Sequence, residues 1–323
     1  MRVVVIGATG HIGTYLVPRL LKLGHEVVAV SRGNREPYQG FEQWKGVELL
    51  HLDRVAEEKK GAFGKAIAAL EPEAVIDLLL FHPSSLPQIL DSLSGRIKHY
   101  LYCGTMWIYG PTEKAPTTEE EPRRAEDDYG QEKAEIEARL LEEARRGKFP
   151  ATALHPGHIV GPGWPPIVPA GNLNLEIFEK LGRGEEVCLP DHGLATLHHV
   201  HADDVAQAFG LALEKPAAAI GENFNVVSPQ ALTLRGFCRE VAAWFGAEAS
   251  LSYLDWNQWK ETVSEYEAEV TWEHIRNCPC GSIEKARRLL GYNPRYSSLE
   301  AVHESLDWLI RQGKVRLPSL TRV

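Results

Sequence analysis

The strongest constraint on the fold lies at the start of the chain. Arg2–Ile6 is a β-branched run, and it ends on Gly7-Ala8-Thr9-Gly10-His11-Ile12-Gly13. Such a run reads as a buried strand. From Thr14 to Leu23 apolar residues recur at helical spacing and stop at Gly24, which reads as a helix with a glycine terminator. The three glycines therefore stand where a strand turns into a helix. There Gly7 permits a tight turn, Gly10 lets a diphosphate approach the backbone, and Gly13 lets helix pack on strand. The helix N-terminus then faces the anion. A plain glycine turn is the alternative, and the placement between strand and helix argues against it.

The same alternation continues. Strands are expected at Glu26 to Val30, Val47 to Leu52, Ala74 to Leu80, Ile97 to Cys103 and Ala151 to Leu154, with a helix at Ala62 to Leu70. The clearest helix is Asp128 to Arg146, with Glu126, Asp127 and Asp128 at its start and two arginines at its end, both complementing the helix dipole. Strands and helices in this order predict an α/β fold, a doubly wound parallel sheet of the Rossmann type. After Pro156 the texture changes. Gly157 to Gly171 is rich in proline and glycine and reads as a loop. Asn172 to Gly182 and Asp203 to Leu213 read as helices, and His198 to Val200 and Phe224 to Val227 as extended segments. The expected division is a dinucleotide-binding domain over 1–165, rejoined at about 197–228, and a smaller substrate-binding domain from 166–196 and 229–323.

Composition narrows the function classes. Of 323 residues 44% are hydrophobic and 24% charged, which supports a real core. The net charge of −9 repels phosphate polymers, so a nucleic-acid partner is not expected. The apolar run before Gly7 is too short for a signal peptide, and no run approaches the ~18 residues of a membrane span, so a cytoplasmic location follows. The five cysteines are scattered, and Cys278-Pro279-Cys280 has no second pair near it, which reads as reduced thiols. His155, His158, His192, His198, His199 and His201 crowd together in sequence. Surface contacts, loop hydrogen bonds and substrate-facing donors all fit them. No spacing demands the convergent ligands of a zinc site, so no metal is expected.

Other residues point to chemistry. An acidic residue after the second strand would bind the adenosine ribose of NAD. This chain has Ser31-Arg32 there, with Arg35 close behind, and a guanidinium suits the 2′-phosphate of NADP. The cofactor is expected to be NADP in preference to NAD. Tyr129 and Lys133 stand four apart at a helix start, on one face. A nearby ammonium and an oxidised nicotinamide both favour phenolate, which turns a phenol of ordinary pKa ~10 into a usable acid and base. Thr105 follows the fifth strand, at the carboxyl edge where ligands sit, and can bond the same substrate oxygen or merely cap the strand end.

These residues resemble the extended short-chain dehydrogenase/reductase family, of which nucleotide-sugar epimerases and dehydratases are members, and the likeness runs nearly the whole length. Gly7, Gly10 and Gly13 match its fingerprint, Thr105 with Tyr109-Gly110 its Ser/Thr-x-x-x-Tyr-Gly segment, and Tyr129 and Lys133 its Tyr-x-x-x-Lys. His155-Pro156, Gly161-Pro162-Gly163, Val200 to Ala206 and Leu290 to Pro294 are similar to its later segments. The resemblance implies that Thr9, His11, Ile12, Leu79 and Pro156 join the cofactor contacts, that Asp53 meets adenine, and that Met106, Trp107, His158 and Asn172 line the substrate. Asn172 is expected to open a helix, and Trp164 either offers a platform to a sugar ring or packs internally. It implies further that Tyr129 exchanges a proton with a substrate hydroxyl while hydride moves, that Lys133 lowers its pKa, and that Thr105 orients the oxygen.

The departures carry meaning. Leu78 to Phe81, followed by His82, is bulky where the family is small. The family's phosphate-holding arginine is replaced by Ala195-Thr196-Leu197, which favours a smaller or unactivated sugar, a polyol or a ketone. Met106 and Trp107 replace the acidic residues of dehydratases, so dehydration is not expected. The reading is a sugar epimerase or oxidoreductase. The alternatives are a reductase or dehydrogenase of a non-nucleotide polyol or ketone, and a non-catalytic RNA-binding or regulatory relative. The family's habit of dimerising through two long helices implies a homodimer, although Ile136, Leu140 and Leu141 would equally suit packing on the chain's own sheet.

Overall fold

The β-branched run at the N-terminus does become the centre of the molecule. In the computed structural model, which describes residues 1–38 and 41–320, Val3, Val4 and Val5 are fully buried. They belong to β1 (Arg2–Ile6). β2 (Glu26–Ser31), β3 (Glu48–His51), β4 (Ala74–Asp77), β5 (His99–Cys103) and β6 (Ala151–Pro156) follow, and Asn223–Val226 adds a last strand. They form one seven-stranded sheet in the order Asn223–Val226, β6, β5, β4, β1, β2, β3, with every pair parallel. β1 lies between β2 and β4, in register Ile6 opposite Val30 and Asp77. The chain winds outward in both directions from β1, so the strand ends open a crevice there.

Side chains alternate across the sheet. Val3 and Val5 face Leu16 and Leu20 of the helix His11–Lys22 and Phe209 of the helix Ala202–Glu214. Val4 and Ile6 face Phe63, Ile89 and Ile136 on the other side. A third apolar cluster joins Phe178, Leu181, Phe237 and Leu306 from the later part of the chain. No helix is long and apolar enough to cross a membrane among the described residues.

Several sequence boundaries move. The first helix begins at His11, so the fingerprint supplies its first turn. Inside the expected loop Gly157 to Gly171, the strand His158–Val160 pairs in parallel with His199–His201. The helix expected from Asn172 begins only at Glu176. The asparagines before it bond the backbone instead: Asn172 Oδ1 accepts from the Asn174 amide at 3.0 Å, and Asn174 Oδ1 from the Glu176 amide at 3.0 Å. Such local bonds compete with helix formation. Ile136 and Leu140 of the helix Asp128–Arg145 are fully buried against the chain's own sheet, which decides between their two readings.

Gly13 packs the first helix directly on the turn that follows β1. A Cβ there would lie 2.2 Å from the Ala8 carbonyl oxygen, whereas one on Gly210 would meet only ordinary contacts, the nearest at 3.5 Å. Gly13→Ala is expected to destabilise the chain by about 1–3 kcal/mol in denaturant titrations, with Gly210→Ala neutral or slightly stabilising. Equal midpoints for the two variants would contradict this packing account.

Candidate active site

The crevice at the end of β1 is shaped for an anion. Gly7 has φ +87°, and Gly10 precedes the helix His11–Lys22 with no side-chain cap and no acidic residue in the first turn. The first-turn amides are thus left for a ligand, and a dinucleotide diphosphate fits them. Leu79 covers the turn so closely that a Cβ on Gly7 would stand 2.8 Å from its Cγ. Its amide donates to Asp77 Oδ1 at 2.9 Å. At the β2 end Ser31 is buried and accepts from the Gly33 amide at 3.3 Å, while Arg32 and Arg35 are exposed. Asp53 is exposed after β3 and caps the helix Arg54–Lys59 by accepting from the Ala56 amide at 3.0 Å.

Aromatic residues close over the same end. His11 stacks on Trp164 with ring centroids 5.1 Å apart, and its Nδ1 bonds the Tyr38 hydroxyl. Burial pulls the His11 imidazole down to about 3, so it is neutral at physiological pH. Trp164 is therefore a cavity wall beside the fingerprint.

Thr105, Tyr129 and Lys133 come together at the ends of β4 and β5. Thr105 caps the short turn Met106–Tyr109 by accepting from the Trp107 amide at 3.3 Å, and it lines the same cavity as Tyr129. Lys133 is 1% exposed, and its ammonium donates to the carbonyls of Leu80 and Cys103, each at 2.9 Å. Phe81 covers that ammonium, with 4.5 Å from Nζ to the ring centroid. Burial lowers the Lys133 ammonium to about 8. Tyr129 is 40% exposed, yet loss of hydration raises the phenol to about 12. Burial therefore outweighs the lysine at this phenol, whereas the expectation was that Lys133 lowers it. The ammonium, 5.7 Å from the Tyr129 ring centre, is engaged with carbonyls.

A cavity of about 920 Å³ runs from His11, Arg35 and Tyr38 to Thr105, Met106, Trp107, Tyr129 and His158. Asn172 is 2% exposed and is not in its lining; its amide donates to Thr271 Oγ1 at 3.2 Å. Pro156 closes β6, with Gly157 as the next residue on the wall. Sequence reasoning passed over Tyr38, Pro279 and His274, which also line the cavity. His274 comes from the helix Glu265–Ile275, which carries no motif that would mark it. Among the described residues no three His, Cys, Asp or Glu side chains gather as a metal site.

Comparison with known proteins agrees with this architecture. The chloroplast stem-loop binding protein of 41 kDa b from Arabidopsis thaliana is 24% identical over 98% of this chain and 81% of its own length. The 2′-dehydrokanamycin reductase of Streptomyces kanamyceticus is 25% identical over 98% of this chain and 86% of its own. The UDP-glucose 4-epimerase of Thermotoga maritima, solved with UDP-glucose, superposes with a TM-score of 0.72 at 21% identity, covering 97% of this chain and 99% of that one. The profile of the NAD dependent epimerase/dehydratase family matches residues 3–86 and 87–226, and with a parallel sheet wound outward from a glycine-rich crevice the chain belongs to that family.

Proposed function

We propose that the chain is an NADP-dependent oxidoreductase or epimerase acting at a carbinol or ketone carbon of a sugar or sugar derivative, with Tyr129 as acid and base. The observation that carries this is that Thr105 and Tyr129 line one end of a cavity whose other end is an uncapped helix N-terminus. A bound nicotinamide supplies or accepts the hydride. The chain's residues do the rest. Gly7, Thr9, Gly10, His11, Ile12 and Gly13 hold the diphosphate, Ser31 and Arg32 the adenosine 2′-phosphate, and Asp53 the adenine. Leu79 and Pro156 flank the nicotinamide half. Thr105 aligns the substrate oxygen, and Tyr129 exchanges the proton with it. Lys133 steadies the end of the cavity and offers positive charge when phenolate is needed. Met106, Trp107 and His158 bound the substrate.

Dehydration fits poorly, because Glu36 is the one carboxylate among the described residues lining the cavity, and it belongs to the Arg35–Tyr38 end. A homodimer belongs to the same reading. The exposed side of the helix Asp128–Arg145 carries Glu135, Arg139 and Glu142, so a contact made there is polar. The stem-loop binding relative supports a second reading, a non-catalytic RNA-binding protein. The charge of −9 and the retained Tyr129 and Lys133 weigh against it.

Tyr129→Phe separates the two readings. The enzyme reading expects kcat to fall by roughly 10²–10⁴-fold with cofactor affinity little changed. Unaltered activity in the variant would remove Tyr129 from the chemistry. For cofactor choice, Arg32→Ala is expected to weaken NADP binding at least tenfold while leaving NAD nearly unaffected, read by calorimetry. Parallel losses for both nucleotides would refute the 2′-phosphate role.

Lys133 adds a stability test. Its ammonium titrates at about 8 when folded and near 10.5 when unfolded. Between those values the unfolded chain binds the extra proton, so stability rises with pH through that window and the gain is lost as pH falls through 8. Relative to Lys133→Met, the wild type should gain up to about 3 kcal/mol from pH 8 to pH 10.5. A stability difference constant across that range would show that the lysine is not buried as a charge.

A further inference from the structure

Histidines from separate stretches meet on the cavity wall reached from Tyr129 across Trp107. The Trp107 ring lies 6.0 Å from Tyr129 and 5.5 Å from His274, and His274 lies 5.1 Å from His158. Their neighbours His198 and His199 are taken up by the fold. His198 donates from Nε2 to the Ser228 carbonyl at 2.8 Å and accepts on Nδ1 from the Gly281 amide at 3.0 Å. His199 donates from Nε2 to the Ile167 carbonyl at 3.1 Å, and although its Nδ1 has no partner, the ring does not line the cavity.

The other two keep bonding capacity. His274 donates through Nδ1 to the Val270 carbonyl at 2.6 Å, because a carbonyl can only accept. The neutral ring then presents the lone pair of Nε2. His158 lines the cavity, and neither of its ring nitrogens has a hydrogen-bond partner among the described residues. Burial lowers both imidazoles below their usual range, so both rings are neutral at physiological pH. Together they offer acceptors and one N–H donor. A hydroxyl group matches that set because it both donates and accepts. A phosphate only accepts, and Arg35, beside Tyr38 at the fingerprint end, is the one Lys or Arg among the described lining residues.

We infer that His158 and His274 form a subsite for the hydroxyl groups of an unphosphorylated sugar or polyol, with Trp107 as its apolar floor. The inference rests on the proposed function, in that it places the sugar in the same cavity. It adds the substrate class and a residue, His274, supplied by the C-terminal part of the chain.

Saturation-transfer NMR on the full chain with NADP tests it, using methyl α-glucoside, myo-inositol and UDP-glucose as probes. Ring protons of at least one unphosphorylated probe should receive saturation, at least fivefold weaker in His158→Phe and in His274→Phe. His158→Asn and His274→Gln, which keep an acceptor, should restore it. The two sites lie on different elements, so misfolding of one variant, seen by circular dichroism, leaves the other decisive. No saturation of either unphosphorylated probe, no loss in the phenylalanine variants, or equal saturation of the UDP-glucose hexose ring would overturn the subsite. NADPH binding followed by its dihydronicotinamide fluorescence separates the two ideas. Histidine-dependent sugar binding without NADP binding defeats the proposed function alone, and the converse defeats the subsite alone.

Discussion

The ammonium of Lys133 ties together the parts from which the site is built. It bonds the carbonyls of Leu80 and Cys103, just beyond β4 and at the end of β5, and it sits on the helix Asp128–Arg145. One group therefore joins two strand ends to a helix from the sheet face. Tyr129 stands one turn earlier on that helix, and Thr105 two residues beyond Cys103, so the bonds that seat Lys133 also bring Tyr129 and Thr105 to one cavity. The position is demanding. A charge at 1% exposure loses its hydration, and two carbonyls with the face of Phe81 only partly replace it, hence the drop to about 8.

A second buried charge holds the other side of the crevice. Asp77 ends β4 at 0% exposure and accepts from Arg54 Nη1 at 2.8 and 2.9 Å and from the Tyr100 hydroxyl at 2.8 Å. Its Oδ1 also takes the Leu79 amide, which holds Leu79 against Gly7. Removing one partner of such a pair leaves a bare buried charge, which is strongly destabilising. The bulky segment Leu78 to Phe81 is thus built into both networks: Leu79 through Asp77, Leu80 and Phe81 through Lys133. Its size, unusual for the family it resembles, is accommodated by bonding as well as by packing.

What the sequence made legible follows from locality. The glycine fingerprint, the Tyr129–Lys133 spacing and the alternating strands each span a few residues, and local sterics dictate them. The sheet is as expected, and Thr105 and Tyr129 line one cavity. Contacts between distant segments were hidden. His11 stacks on Trp164 and bonds Tyr38, one residue from a helix start and two from loops, and no periodicity announces that. His274 reaches the cavity from the far end of the chain. Asn172 shows the converse failure: a polar residue near a helix start looked like a ligand contact, and tertiary structure consigned it to Thr271. The histidine crowding was visible, but which rings were taken up by carbonyls depended on strand pairing between His158–Val160 and His199–His201.

The protonation of Tyr129 bears on both directions of the reaction. Burial holds the phenol above its usual range, so it is protonated at neutral pH and can give a proton to a carbonyl oxygen. Oxidation of an alcohol asks the opposite of the same group, which must first become phenolate, beside a lysine whose ammonium is held by two carbonyls. Reduction ends on that same phenolate, so both directions meet one requirement: positive charge close to Tyr129 when its proton is on the substrate. Lys133 is the standing source of that charge, and an oxidised nicotinamide would add to it.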